Sequence, residues 1–169
     1  MMPTTLIERS MDEIREIKSD EQAFLTEMLR EAIFFPDPSK KEEKLAELEP
    51  IFANFFDDFG KTGDVAMVLV TDDGLSGAVW TRLYTQEKHS FGFVDETTPE
   101  LGIAVKEKYR DKGIGAEMIE RLLKKLADEG FDNVSLSVDR RNPAAKLYER
   151  LGFIIHSEDK TSYIMLKRL

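Results

Sequence analysis

The stretch Tyr109–Met118, "YRDKGIGAEM", sets two cations, Arg110 and Lys112, beside two glycines, Gly113 and Gly115, at the head of a helix-forming run. Those residue types in that order suit the capture of a phosphate. The first turn of a helix leaves backbone N–H groups unpaired and carries the positive end of the helix dipole. An anion placed there accepts those N–H groups. Glycine is a poor helix former, so two at a helix start imply a backbone that something approaches closely. Two familiar phosphate motifs do not fit. No Gly-Lys-Ser/Thr follows, and Met118 stands where a dinucleotide turn needs its third glycine. A glycine turn that only redirects the chain is the competing reading of the motif taken alone.

Such a turn needs a strand before it and a helix after it. "ELGIAV" reads as the strand, and "AEMIERLLKKLADEG" as an amphipathic helix stopped by Gly130. "NVSLSVD" is the next strand, which makes a strand–helix–strand crossover from about Leu101 to Asp139. "NPAAKLYERLG" reads as a short helix, with Asn142 as N-cap, Pro143 at the first helical position and Gly152 just past the end. "FIIHS" and "SYIMLKRL" close the chain as strands. Upstream, "IREIKS" (Ile14–Ser19) reads as a strand, and a helix follows with Asp20 as N-cap. A second helical pattern runs through "KLAELEPIFANFFDDFG", interrupted or kinked at Pro50. "DVAMVLVTDDGLSGAVWTRLY" reads as two strands joined at Asp72–Asp73–Gly74. "FGFV" looks like a further strand, or the start of one interrupted near Pro99. The fold class is mixed α/β.

Composition narrows the function. The chain has 169 residues, which fits one domain spanning 1–169. It has no cysteine, which removes thiolate metal sites, disulfides and a cysteine nucleophile. Its two histidines, His89 and His156, lie far apart in no metal-ligand spacing, so no metal is expected. A net charge of −9 argues against a nucleic-acid partner. No apolar run reaches the length of a membrane helix, so no membrane partner and a cytoplasmic location are expected.

Taken together, Pro99–Phe153, "PELGIAVKEKYRDKGIGAEMIERLLKKLADEGFDNVSLSVDRRNPAAKLYERLGF", resembles the GNAT superfamily of acetyl-CoA-dependent N-acetyltransferases. The block holds a cofactor strand, the Arg-x-x-Gly-x-Gly turn with its helix, the next strand, and the Asn-Pro-Ala…Leu-Tyr…Leu-Gly-Phe ending. The resemblance implies a central, mostly antiparallel sheet flanked by helices, with one parallel pair splayed apart around the pantetheine arm of acetyl-CoA. It implies an acyltransferase moving an acetyl group to a primary amine, with acetyl-CoA as co-substrate. It implies cofactor contacts from the backbone of Ile103, Ala104 and Val105, from the turn residues Arg110, Asp111, Lys112, Gly113, Ile114, Gly115 and Ala116, and from Asn142 and Lys146. The acceptor is read as a small-molecule amine. Acetylation of a protein N-terminus or lysine, or acetyl-CoA binding without turnover, are the alternatives. A homodimer is compatible with the family, though no residue points to one.

Acetyl transfer to an amine needs a base, a polarised carbonyl and a proton for the departing thiolate. Strand alternation in "ELGIAV" sets Glu100, Gly102 and Ala104 on one face, and a carboxylate beside two small residues is a carboxylate beside space. Glu100 is therefore the candidate base, with Asp95 and Glu96 as rivals and a solvated surface glutamate as the plain alternative. Tyr148 is the candidate acid, since an ordinary phenol has a pKa near that of an alkyl thiol. A core tyrosine is the plain alternative there. Phe34, Phe35 and Trp80 read most simply as core packing.

Overall fold

The computed structural model describes residues 12–169. Val65–Thr71 (β2) is an almost unbroken apolar run because both of its faces are covered. A two-residue turn, Asp72–Asp73, folds it onto Gly74–Arg82 (β3), whose first residue takes φ +88°. β3 pairs antiparallel with Glu100–Val105 (β4). Glu13–Glu16 (β1) extends the other side of β2. Asn133–Asp139 (β5), Ile154–Glu158 (β6) and Ser162–Arg168 (β7) complete a seven-stranded sheet in the order β1-β2-β3-β4-β5-β7-β6. Among the described strands only the β4–β5 pair is parallel.

Helices cover both faces. Ile114–Asp128 (α3) buries Met118, Ile119, Leu122 and Leu126 against Val65, Met67, Leu69 and Leu136. Ala144–Arg150 (α4) packs on this same face. Ala23–Ala32 (α1) buries Phe24, Leu25, Met28 and Leu29 against Ala66, Val68, Ala78 and Trp80 on the opposite face. Lys41–Phe52 (α2) carries Pro50 in its last turn, and the chain beyond it breaks into turns over 53–58.

The fold departs from the sequence reading at Asp20, at "FGFV" and beside Glu100. Asp20 does not cap α1. It lies in a 3₁₀ turn, Ser19–Glu21, and Glu21 does the local capping by accepting the Lys18 N–H at 2.8 Å while pairing with Arg15 at 2.8 Å. "FGFV" is not a strand: residues 91–99 run as an irregular loop into β4 at Glu100. Its apolar alternation mimics a strand, but the Gly92 carbonyl is held by the Ser135 hydroxyl at 2.7 Å instead of by a ladder. The space beside Glu100 on its strand face is filled as well. The Trp80 indole lies over Gly102, where a Cβ would come within 2.6 Å of the ring.

Candidate active site

β4 and β5 meet at a single register position, Glu100 opposite Ser135, where the Ser135 N–H donates to Pro99 O at 3.0 Å. Beyond that point they pair no further. Which backbone groups face the gap follows from parity. Lys106 N–H donates to Ser76 O at 2.9 Å, so Ser76 and Lys106 form a hydrogen-bonded pair. Alternate residues of an antiparallel ladder repeat this pattern. Glu100, Gly102 and Ala104 therefore bond to β3, while Leu101, Ile103 and Val105 turn their peptide groups toward β5. The same parity aims the peptide groups of Ser137 and Asp139 into the gap from β5. Ile103 thus offers its N–H and carbonyl to a ligand arm and Val105 its N–H, the Val105 carbonyl being taken by Arg110, while Ala104 is turned to β3.

At the open end of the gap, Gly113 caps α3 at φ +77° with no side-chain hydrogen bond, and Asp111 is also left-handed at φ 60°. The first helical bond runs from Glu117 N–H to Gly113 O, so the N–H groups of Ile114, Gly115 and Ala116 have no acceptor within the helix. A Cβ on Gly113 would meet nothing within 4 Å, and one on Gly115 only Ile103 Cδ1 at 3.8 Å. Gly113 is explained by its dihedral angle, whereas Gly115 is demanded by no atom of the described residues. Donors and room of this kind fit a pyrophosphate. The turn is braced from behind by Tyr109, whose hydroxyl donates to Asp73 and accepts from Thr71 at 2.9 Å. Arg110 commits its Nε to Val105 O at 2.7 Å and a terminal nitrogen to Glu31 at 3.4 Å. Lys112 is exposed, with its ammonium over the Tyr109 ring.

Glu100 sits at the root of the gap under the loop. Burial pushes its carboxyl up to about 7, against the opposing pull of Ser90, the Gly92 N–H and His89. Its Oε1 is closed off from solvent and has no hydrogen-bond partner among the described residues. Gly92 makes this possible: a Cβ there would lie 2.9 Å from that oxygen and 2.8 Å from the Ser137 nitrogen. Tyr84 borders the same place, and burial followed by the Glu100 charge raises its phenol. The rivals are placed differently. Asp95 accepts from Thr97 and Thr98 in a turn that lowers its pKa, and Glu96 caps the Gln86 N–H at 2.9 Å on the exposed side of the loop. Ser90, Gly92 and Tyr84 surround the carboxyl through contacts across an irregular loop, which leave no periodic signal in the sequence.

Tyr148 lies on the other face of the sheet. It is buried with its ring edge-on to Phe153 at 6.0 Å, and its hydroxyl bonds to no described residue. Burial pushes its phenol up to about 12. Asn142 Oδ1 accepts the Ala144 N–H at 3.0 Å, which caps α4, the helix that carries Tyr148. Lys146 is exposed on the same helix. Phe34 and Phe35, read from the sequence as core, instead line a cavity of about 400 Å³ between the α1–α2 connection, the end of β5 and the β6–β7 turn. Trp80 is core, at 3% exposure. Among the described residues no group of three or more His, Asp or Glu side chains converges as a metal site, and no helix is long and apolar enough to cross a membrane.

The model of the acetyltransferase (GNAT) family matches residues 23–153. The chain belongs to the GNAT family. A mycothiol acetyltransferase of Corynebacterium aurimucosum is 33% identical over 85 residues, which is 50% of this chain and 26% of that protein. N-alpha-acetyltransferase 30 of Xenopus laevis is 40% identical over 53 residues, 31% of this chain and 19% of that protein. The matched stretches thus span about a quarter or less of these curated relatives. Among solved GNAT folds, the PaiA N-acetyltransferase of Thermoplasma acidophilum, in complex with coenzyme A, superposes with a TM-score of 0.69 at 20% identity, covering 94% of this chain and 99% of that one. The ribosomal-protein-S18-alanine N-acetyltransferase of Escherichia coli does so with a TM-score of 0.61 at 20% identity, covering 94% of each chain. At these identities the likeness is one of fold, and it includes the GNAT sheet with its single parallel pair.

Proposed function

We propose that the chain transfers the acetyl group of acetyl-CoA to a primary amine of a small molecule. The observation that carries this reading is the Glu100 carboxyl, held near neutral pKa at the root of a strand gap whose open end faces a glycine-lined helix start. Acetyl-CoA would supply an activated thioester. The N–H groups of Ile114, Gly115 and Ala116 would take its pyrophosphate, and the Ile103 peptide groups with the Val105 N–H its pantetheine arm.

Glu100 and Tyr148 stand on opposite faces of the sheet, with the gap between them. The amine would approach from the Glu100 face and the thiol leave on the Tyr148 face. An alkylammonium cannot attack, so Glu100, its carboxyl made more basic by burial, would take its proton directly or through water. The amine would then attack the thioester carbon itself, because the chain has no cysteine to carry an acyl group. Tyr148, with its phenol raised to about 12, stays protonated across the neutral range. It holds its proton more tightly than a free phenol, so it would assist the departing sulfur chiefly as a hydrogen-bond donor.

Three measurements test these roles. Acetyl-CoA should raise the thermal stability of the protein and release free thiol when a suitable amine is added; absence of any stabilisation would sink the reading. Tyr148→Phe should lower kcat by roughly 10²-fold with little change in melting temperature or acetyl-CoA affinity, because the hydroxyl bonds to no described residue. A loss of stability in this variant would make Tyr148 a packing residue. Gly115→Val should keep the helix, valine being the better helix former, and weaken coenzyme A binding by roughly tenfold or more, equivalent to about 1.4 kcal/mol. An unchanged Kd would reject the cradle. The similarity to N-alpha-acetyltransferase 30 favours one second reading, a peptide N-terminus as acceptor. Turnover of short peptides in place of small amines would select it.

A further inference from the structure

The cavity of about 400 Å³ beside the α1–α2 connection has a makeup that its surroundings do not explain. Phe34 and Phe35 give it an apolar wall, and Lys40, Lys44 and Arg141 bring three cations against the carboxylates of Asp37 and Asp139. Both carboxylates are engaged locally. Asp139 takes Nε and Nη2 of Arg141, each at 3.0 Å, and Asp37 accepts the backbone and hydroxyl of Ser39 at 3.1 and 2.6 Å. Lys40 and Lys44 form no ion pair with any described residue. In a chain of net charge −9, a cavity lined by three cations and two carboxylates, only one of which is paired with a cation, is a locally positive place.

Its position relates it to the strand gap. Val134, Leu136 and Val138 point into the α3-face core, so Ser135, Ser137 and Asp139 face the α1 side, as Glu100 does. Asp139 lies four residues beyond Ser135, about 13 Å along the strand. The cavity therefore lies on the same face of the sheet as Glu100, at the far end of β5 from it, with the Gly92 loop between them.

We infer that this cavity seats the far end of the acceptor, and that the acceptor is an amine with an aromatic or aliphatic body ending in an anionic group such as a carboxylate. The body lies against Phe34 and Phe35, the anion is met by Lys40 and Lys44, and Arg141 is held at the rim by Asp139. The inference rests on the proposed amine acetylation.

The test uses a matched pair of ligands, 4-phenylbutylamine and 4-(4-aminobutyl)benzoate, which differ by one carboxylate. Equilibrium binding is measured by calorimetry for the full chain and for the Lys40→Gln/Lys44→Gln variant, with and without saturating coenzyme A. The carboxylate ligand should bind roughly tenfold tighter than the plain amine, and the ratio should collapse toward one in the double variant and in high salt. Equal binding of the pair, binding of neither, or a preference that survives in the variant would overturn the inference. So would a loss of coenzyme A affinity in the variant, which would move the lysines to the donor side. Because binding is read without turnover, failure of acetyl transfer itself appears separately, as absent stabilisation by acetyl-CoA.

Discussion

Replacing Glu100 with glutamine should lower kcat by roughly 10²–10⁴-fold, the usual contribution of a positioned general base, and at the same time make the protein more stable above pH 7. The two effects share a cause. Burial raises the carboxyl to about 7, so the folded state disfavours its ionised form. At pH 4 and below the group is protonated in both folded and unfolded chains and costs nothing. As pH rises from about 4.5 the unfolded chain ionises first, and stability falls until the folded group ionises near 7. Above that the cost is constant at about 3 kcal/mol, an upper value from the size of the shift. Glutamine removes it. Melting temperatures of the two proteins should therefore differ little at pH 4 and diverge by pH 8, with the variant higher. The acid limb of kcat/KM, near pH 7 in the parent, should vanish in the variant. An unchanged limb would hand the base role to another group or to water. A variant less stable than the parent at pH 8 would make the carboxylate a structural element.

The largest effect on folding is expected at Asp64. Its carboxylate, 1% exposed, takes Nε and Nη2 of Arg82 at 3.0 and 3.1 Å and the N–H groups of Gly60 and Lys61 at 3.0 Å each. Arg82, 10% exposed, also donates to the carbonyls of Phe55 and Asp57. Asp64→Ala leaves the guanidinium buried without its counter-ion, a change that costs about 3–5 kcal/mol. For a chain of this size that lowers the melting temperature by roughly 10 °C. Urea melts of the parent and variant give the difference directly, and a loss below about 1 kcal/mol would refute the argument. Replacing both partners by apolar residues of similar volume should recover much of it. The pair also ties the Phe55–Phe59 segment to the sheet, where Phe56 packs edge-on to Trp80 at 5.6 Å and Phe55 to Tyr84 at 6.0 Å. Loss of Asp64 should thus loosen the wall behind Glu100 as well.

The parts of the fold that could be read from sequence are those whose cause is local. Gly113 and Gly115 announce the turn because helix starts seldom tolerate two glycines. Asn142 and Gly152 mark the ends of α4 because caps act within one turn: the Phe153 N–H reaches Tyr148 O at 3.0 Å across Gly152 at φ +97°. Glu100 could be singled out by strand alternation, but not the reason it matters. Its neighbours Ser90 and Gly92 come from a loop without periodicity, and Gly92 is pinned by Ser135, 43 residues away in the chain. Arg82 and Asp64 lie 18 residues apart, so nothing nearby in the sequence foretells that the two charges are buried together. Phe34 and Phe35 look like core because aromatic residues normally are. Only the backbone path through Pro36 and Pro38 turns them toward a cavity.

The parity of β4 has an evolutionary consequence. Its gap-facing peptide groups belong to residues whose side chains point into the α3-side core, while the side chains of Glu100 and Ala104 face the opposite layer. A donor held by main chain makes no demand on side-chain identity beyond packing. A lineage can therefore rewrite the α1–α2 connection and the loop over Glu100, where the proposed acceptor would sit, without disturbing the backbone that would hold its donor. One sheet carries two ledgers of selection, one for each face, and they can be edited separately.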